Sequence, residues 1–328
     1  HAYPERVASF SGYHVPQIIM PMHYEDRDKW QILVGKKEGL FGTPANVFYN
    51  EVCGESYDTG LKLLTITELK AAAVLHKNEM SEAMKVDLTQ YYRRILAVDW
   101  GGGGEEETSF TTYAVLGMLP TGQIHCIYGY RSMTPHDFKR EAQICLELIG
   151  QFKCSHLVHD YNGAGAYREK YVMDAGFPYE RVIPISYVGA ASQDIMRFVE
   201  PTEQHPRAHY RVDKARSLVL TCNQIKDMQL LFFQYDNQGS SQTGLLHDFM
   251  ALVEDKVTSK QSRDIYKIIR QQNMTDDFAQ AVNMGCCAMW YMTKAWPDTT
   301  AADRYKISNE VLEAMNPDAS DKAWDDLD

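Results

Sequence analysis

Arg94-Ile-Leu-Ala-Val-Asp99 is a short apolar run that ends on a carboxylate, and Trp100 and Gly101 to Gly104 follow it. That pattern predicts a buried strand running into a glycine loop. Downstream, Thr108 to Met118 is rich in Thr, Tyr and Val, which suit a pleated, half-buried surface. Leu119-Pro-Thr-Gly-Gln123 carries turn residues, and Ile124 to Tyr130 reads as a third strand. The three strands predict an antiparallel meander. A helix follows, with Thr134 as candidate N-cap, Pro135 at the first helical position and Asp137 in the place of a capping-box acid. Phe138, Ala142, Cys145, Leu146 and Ile149 recur on one face of it at helical spacing. Cys154 to Asp160 is a fourth strand, again ending on Asp. Gly163 to Met173 begins a second helix, and Arg181 to Ile185 is a fifth strand.

Three strands, helix, strand, helix, strand is the order of an RNase H-like domain. The expected fold class is therefore α/β, an RNase H-like mixed central sheet flanked by helices. Beyond it, Asp213 to Lys226 reads as a helix, Gln229 to Gln234 as a strand and Leu245 to Glu254 as a helix. Thr275 is placed to cap a last helix running to about Trp290. Upstream, Tyr13 to Pro21 reads as extended chain, and Thr67 to Leu75 as a helix with Thr67 as N-cap.

Composition narrows the function. An apolar fraction of 45% suffices for a core. No apolar run approaches the ~20 residues that span a bilayer, so no membrane partner is expected. The seven cysteines are odd in number and irregular in spacing, without a C-x-x-C pair to hold zinc. Most sit in apolar runs, which points to a reducing cytoplasm. The net charge of −11 argues against coating nucleic acid through bulk charge. It leaves room for a carboxylate cluster with a local basic track. Part of the acidity lies in the tail from Asp318 to Asp328. The chain opens His1-Ala-Tyr-Pro4 without Met, so a fragment is expected.

Asp99 and Asp160 end two strands expected at the sheet centre, so their carboxylates would project from one edge. Acids that close repel and need a cation at neutral pH. Oxygen ligands without His or Cys suit two ions of Mg²⁺ or Mn²⁺. Asp276-Asp277 at the start of the last helix supplies a third acid, completing the cluster that two-metal hydrolysis requires, with ions ~3.5–4 Å apart. Singly, each acid reads as a turn or cap residue. Three acids at the three places this fold requires read as catalytic metal ligands. Two basic clusters stand ready for a DNA backbone. One holds Arg207, Arg211, Lys214 and Arg216; the other holds Lys256, Lys260, Arg263, Lys267 and Arg270. Arg211, Lys214, Lys260, Arg263 and Lys267 are the candidate DNA contacts.

An alternative rests on the glycines. Asp99-Trp-Gly-Gly-Gly-Gly and Asp160-Tyr-Asn-Gly-Ala-Gly are both able to cradle phosphate, as in actin-like and sugar-kinase-type ATPases. Those proteins normally take one loop from each of two domain copies, whereas here both loops fall within one copy, and Asp276-Asp277 is left unexplained. No G-x-x-x-x-G-K-[ST] occurs, so the chain is no P-loop motor. A non-enzymatic alternative is a docking module that binds a partner through the acidic tail.

Ala97-Val-Asp-Trp-Gly-Gly-Gly, His159-Asp-Tyr-Asn-Gly-Ala-Gly and Thr275-Asp-Asp-Phe-Ala-Gln-Ala-Val-Asn together resemble the nuclease half of phage terminase large subunits. The resemblance spans roughly residues 93 to 292. Gly12-Tyr-His-Val-Pro-Gln-Ile and Phe48-Tyr-Asn-Glu-Val-Cys-Gly look like the tail of the preceding packaging ATPase domain. It implies three regions: an ATPase tail and linker over 1–85, the nuclease domain over 86–296 and a loosely ordered acidic tail over 297–328. It also implies cutting of concatemeric viral double-stranded DNA during packaging, in the host cell cytoplasm. The implied partners are a portal ring and a small terminase subunit. Asp99 and Asp160 match the first two metal-binding acids. Asp277 is preferred to Asp276 as the third, because related nucleases place it three residues before a frequent Asp-Ala-Leu. Gln280 replaces that later Asp, which removes a fourth ligand from the match.

Overall fold

A computed structural model of the protein describes residues 17, 20–37, 52, 62–101, 109–132, 137–163, 165–188, 194–202, 207–236, 244–258, 264–271 and 274–303. The chain divides into two compact units, His1–Lys62 and Leu63–Asp328. In the first, α1 (Pro21–Tyr24) precedes α2 (Arg27–Lys37), a helix the sequence reading did not anticipate. Asp26 accepts from the backbone N–H groups of Asp28 and Lys29 at 3.0 and 3.2 Å, satisfying donors that the start of α2 leaves open.

The second unit opens with α3 (Ile66–Ala72), capped by Thr65 rather than Thr67. The Thr65 hydroxyl accepts from Glu68 N–H while the Glu68 carboxylate accepts from Thr65 N–H, a reciprocal box. After the single turn α4 (Met80–Ala83) come β1 (Arg93–Asp99), β2 (Thr112–Met118) and β3 (Ile124–Arg131). Then follow α5 (Phe138–Phe152), β4 (His156–Asp160), α6 (Gly165–Asp174) and β5 (Val182–Val188). The central order β3-β2-β1-β4-β5 is the RNase H-like one, antiparallel across β1, β2 and β3 and parallel from β1 through β4 to β5.

The sheet has eight strands. β6 (Met196–Val199) and β7 (His209–Asp213) extend it beyond β5, and β8 (Leu230–Phe232) lies beside β3. Between β7 and β8 runs α7 (Lys214–Lys226), whose N-cap is Asp213. Leu245–Ala251 is a 3-10 segment, not the start of a helix reaching Glu254. The chain turns at Leu252 into β9 (Leu252–Thr258), which pairs with β10 (Asp264–Arg270) as a separate hairpin. The last helix is α8 (Asp277–Thr293). Its N-cap position belongs to Asp276, and the Thr275 hydroxyl donates to Asp248 instead of capping. Helix α5 is capped by Asp137, which accepts from Lys139 and Arg140 N–H at 3.1 Å each. Thr134, Pro135, Gly102 to Gly104, most of residues 1–61 and the tail beyond Asp303 lie outside the described residues.

Strand alternation sorts the core. Ile95 and Ala97 of β1 join Leu116, Val158 and Val212 under α7 and α8. Leu96 and Val98 join Val115, Leu157 and the inner face of α5 on the opposite side. Helix α8 is buried along nearly its whole length. At Gly285 it presses on the sheet so closely that a Cβ would lie 2.4 Å from Leu116 Cδ1 and 3.0 Å from Ala97 Cβ.

Candidate active site

Because β1, β4, β5 and β7 are parallel, their final residues share one edge of the sheet. Period-two alternation then decides which side chains meet. Asp99 continues the Ile95–Ala97 series and Asp160 continues Val158, so both carboxylates point to the α8 side. Helix α8 begins there with Asp277, buried, whose carboxylate accepts from Phe110 N–H at 3.1 Å and from the Ser109 hydroxyl at 3.5 Å. Asp276 beside it accepts from Gln280 Nε2 at 2.7 Å and lies 3.9 Å from Arg270 Nη1. Asp160 accepts from Asn162 N–H at 3.1 Å, a local turn that fixes its rotamer.

The electrostatics link these acids. Burial pushes the Asp99 carboxyl well above the usual range, and repulsion from Asp277, Asp160 and Asp276, in that order, pushes it further. Burial likewise raises Asp160, opposed mainly by the Asn162 hydrogen bond. Asp277 is pushed up to about 7, first by burial and then by the charge of Asp248. Lys214 is the cation that relieves both Asp99 and Asp160. It is the first residue of α7, and its ammonium stands 5.6 Å from the centre of the Tyr187 ring.

The chemistry of these donors fits a hard divalent cation, since they are all carboxylate oxygens and repel one another where water is scarce. Among the described residues, no three His, Cys, Asp or Glu side chains converge closely enough to hold an ion between them. The acids share an edge and a field rather than a formed ligand sphere.

The opposite face of the same strand ends carries support. Trp100 Nε1–H donates to His159 Nδ1 at 3.0 Å, and His159 Nε2 faces Glu169 Oε2 at 2.8 Å. The second Glu169 oxygen accepts from Arg207 Nε at 2.7 Å. Arg168 donates from Nε to Glu141 at 2.7 Å and from Nη2 to the Gly101 carbonyl at 2.9 Å, while the Thr111 hydroxyl also donates to Glu141. These groups tie the residues that adjoin Asp99 and Asp160 to two helices. Sequence reasoning passed over Glu141, Arg168 and Glu169, because they look like ordinary helix-surface charges until the sheet covers them.

The glycines near Asp160 have a packing role. Gly163 has φ +56°, the left-handed region. A Cβ on Gly165 would sit 2.1 Å from the Asp160 carbonyl oxygen, so only glycine lets α6 start against the strand end.

The basic clusters divide. Arg207 and Arg216 turn inward, Arg207 onto Glu169 and Arg216 onto Asp303 at 3.0 Å, so neither belongs to an open track. Lys214 joins the acids. Arg211 is partly buried on β7 and alternates away from Tyr210 and Val212, so it emerges on the face opposite the acids, level with exposed Arg197 of β6. Lys267 is exposed on β10, where it pairs in register with Asp255. Lys260 and Arg263 lie outside the described residues.

No protein-family model and no curated protein matches the chain. Among solved structures, the nuclease domain of the large terminase subunit of bacterial virus Sf6 is similar at 12% identity, over 69% of this chain and 98% of that one, with a TM-score of 0.43. The human cytomegalovirus terminase nuclease domain is similar at 14% identity, over 75% and 100%, with a TM-score of 0.42. The large terminase nuclease from thermophilic phage G20c is similar at 12% identity, over 66% and 94%, with a TM-score of 0.39. At these scores the likenesses add nothing to the sheet order and edge geometry described above.

Proposed function

We propose that the chain is a divalent-metal-dependent endonuclease that hydrolyses phosphodiesters of double-stranded DNA, cutting concatemeric viral DNA as a genome is packaged. The observation that carries this reading is the position of Asp99. Its carboxylate lies at a strand edge within the field of three other acids, with Lys214 as relief. A protein gains nothing in stability from such an arrangement, because buried like charges oppose folding. A cation resolves it.

Asp99, Asp160 and Asp277 would hold Mg²⁺ or Mn²⁺, with Asp276 as the alternative third ligand. Bound ions of this class activate water and stabilise the leaving oxygen of an in-line displacement. The chain's own residues do the rest. Asn162 N–H and Phe110 N–H orient the Asp160 and Asp277 carboxylates. The Trp100–His159–Glu169 chain fixes the two strand ends from behind. Lys214 would offer a positive charge to a phosphate entering beside the acids, and Lys267, exposed on β10, would meet the DNA backbone further out, whereas Arg211 on the opposite face of the sheet would not. A portal ring, a small terminase subunit and the host cell cytoplasm complete the proposal as partners and setting.

Supercoiled plasmid incubated with Mn²⁺, Mg²⁺ or chelator tests it. Nicked and linear DNA should form with metal and without ATP, and chelator should stop it. Intact plasmid together with ATP hydrolysis by the same sample would replace this reading with the actin-like one.

A further inference from the structure

Asp248 has no place in the reading above, yet it is among the most enclosed charges in the described structure. It lies on the 3-10 segment before β9 with 0% exposure. Its Oδ2 accepts from Arg131 Nη2 at 2.5 Å and from Phe278 N–H at 2.7 Å, and its Oδ1 accepts from the Thr275 hydroxyl at 2.6 Å. Those partners bracket the Asp276-Asp277 pair, one residue before it and one after. Asp276 makes no side-chain cap for α8, so the first turn of the helix takes its anionic cap from a distant segment. Arg131 closes a circuit. Its guanidinium lies 5.5 Å from the centre of the Phe110 ring, and Phe110 N–H is the group that donates to Asp277.

We propose that Asp248, through Arg131, is the positioning residue of the third acid, setting both the helix turn that carries Asp277 and the backbone N–H that aims its carboxylate. An ordinary buried ion pair would stabilise the fold without reference to Asp277. Here two partners of Asp248, Thr275 and Phe278, flank the Asp276-Asp277 pair, and the third, Arg131, lies over the ring of Phe110, whose N–H holds Asp277. The three donors already engage both oxygens of Asp248, which suits it to positioning rather than to ligation. The consequence for metal rests on the nuclease reading, and groups that orient a metal ligand are typically worth about ten- to a hundredfold in metal affinity.

The test uses the full chain as wild type, Asp99→Asn, Asp248→Asn, Asp277→Asn and the Asp248→Asn/Asp277→Asn double variant, all at a temperature where circular dichroism shows native helix content. Mn²⁺ binding is followed by electron paramagnetic resonance, and hydrogen exchange by mass spectrometry of the peptide containing Phe110. Asp248→Asn should weaken Mn²⁺ binding by about tenfold or more. It should also speed exchange at Phe110, a residue Asp248 does not touch. The double variant should bind no more weakly than Asp277→Asn alone. Unchanged exchange at Phe110, or a full additional loss in the double variant, would overturn the proposal and leave Asp248 a core ion pair. If wild type and Asp99→Asn bind Mn²⁺ equally, the nuclease reading fails, and exchange at Phe110 still decides the positioning role.

Discussion

Asp99 and Asp160 are held where solvent is thin and like charges are near. Removing either charge should therefore help the metal-free fold and end the chemistry. Asp99→Asn and Asp160→Asn are expected to cut plasmid only at background and to melt higher in chelator. Relief of ~1 kcal/mol corresponds to about 2–4 °C for a unit of this size. A turn or cap Asp would instead lose ~1 kcal/mol and leave cutting untouched. Asp277 adds a pH signature. Its carboxyl titrates at about 7 folded against a usual 3.8, so between those values the folded chain binds more protons than the unfolded one. Metal-free stability should fall as pH rises through that window and level off above it. Asp277→Asn should make this fall shallower and abolish cutting, whereas Asp276→Asn should mainly weaken its contacts with Gln280 and Arg270. Melting scans from pH 4 to 8 decide it: Asp99 and Asp160, also raised, keep part of the slope, so a fall as steep in Asp277→Asn as in wild type would refute the assignment. Lys214 acts with the opposite sign. Replacing it with Met removes the charge that favours ionised Asp99 and Asp160, so the pH–rate profile should move upward, and Lys214→Arg should restore it. An unmoved profile with weaker DNA binding would return Lys214 to the role of a backbone contact.

The strand-final acids were legible because a strand needs only a short apolar run and a terminus, and Arg94 to Asp99 and Cys154 to Asp160 display both. The strands β6 and β7 at one margin of the sheet were not. They are only four and five residues long, too short for the alternation of Met196-Arg197-Phe198 and Tyr210-Arg211-Val212 to stand out. Leu245, Leu246, Phe249 and Leu252 fall at helical spacing, yet the chain tightens to 3-10 geometry and leaves as β9. Asp248 sits inside that misread run, which is why its role was invisible. Lys214 was read as part of a surface track, and only the parallel run of β7 beside β5 brings it to the acids. Helix α6 supplies the sharpest test at this scale. Ala at Gly165 would meet the Asp160 carbonyl, and backbone cannot yield as a side-chain tip does. Gly165→Ala should cost about 1–3 kcal/mol. It should also lower cutting by roughly a hundredfold, because displacing a reacting group by ~1 Å has that effect. Equal activity in Gly165→Ala and wild type would show that the strand end tolerates movement.

Two apolar layers, one on each face of the sheet, hold the second unit together, and neither includes the acids. The fold should then survive without metal and be tightened by it. In chelator the chain should melt cooperatively, and Mn²⁺ at a hundred times its dissociation constant should add about 2.7 kcal/mol by mass action. Unfolding on chelation alone would make the ion structural. The sequence reading reached this architecture because the five central strands and two helices occur in chain order. It missed β6 and β7 at one margin, and it read the edge strand β8 at the other without its place beside β3, which depends on partners far away in sequence. That same chain order has a temporal meaning. Every strand of the sheet is synthesised before α8, which carries Asp277 and fills the centre of one layer. Ribosomes add roughly 5–20 residues per second, so the interval between translating Asp160 and Asp277 is on the order of ten seconds. Throughout it the nascent polypeptide holds two acids and lacks the helix that brings the third. On the proposed nuclease reading, the nascent chain should be inert toward DNA over that interval, with cutting gained only once α8 joins the core.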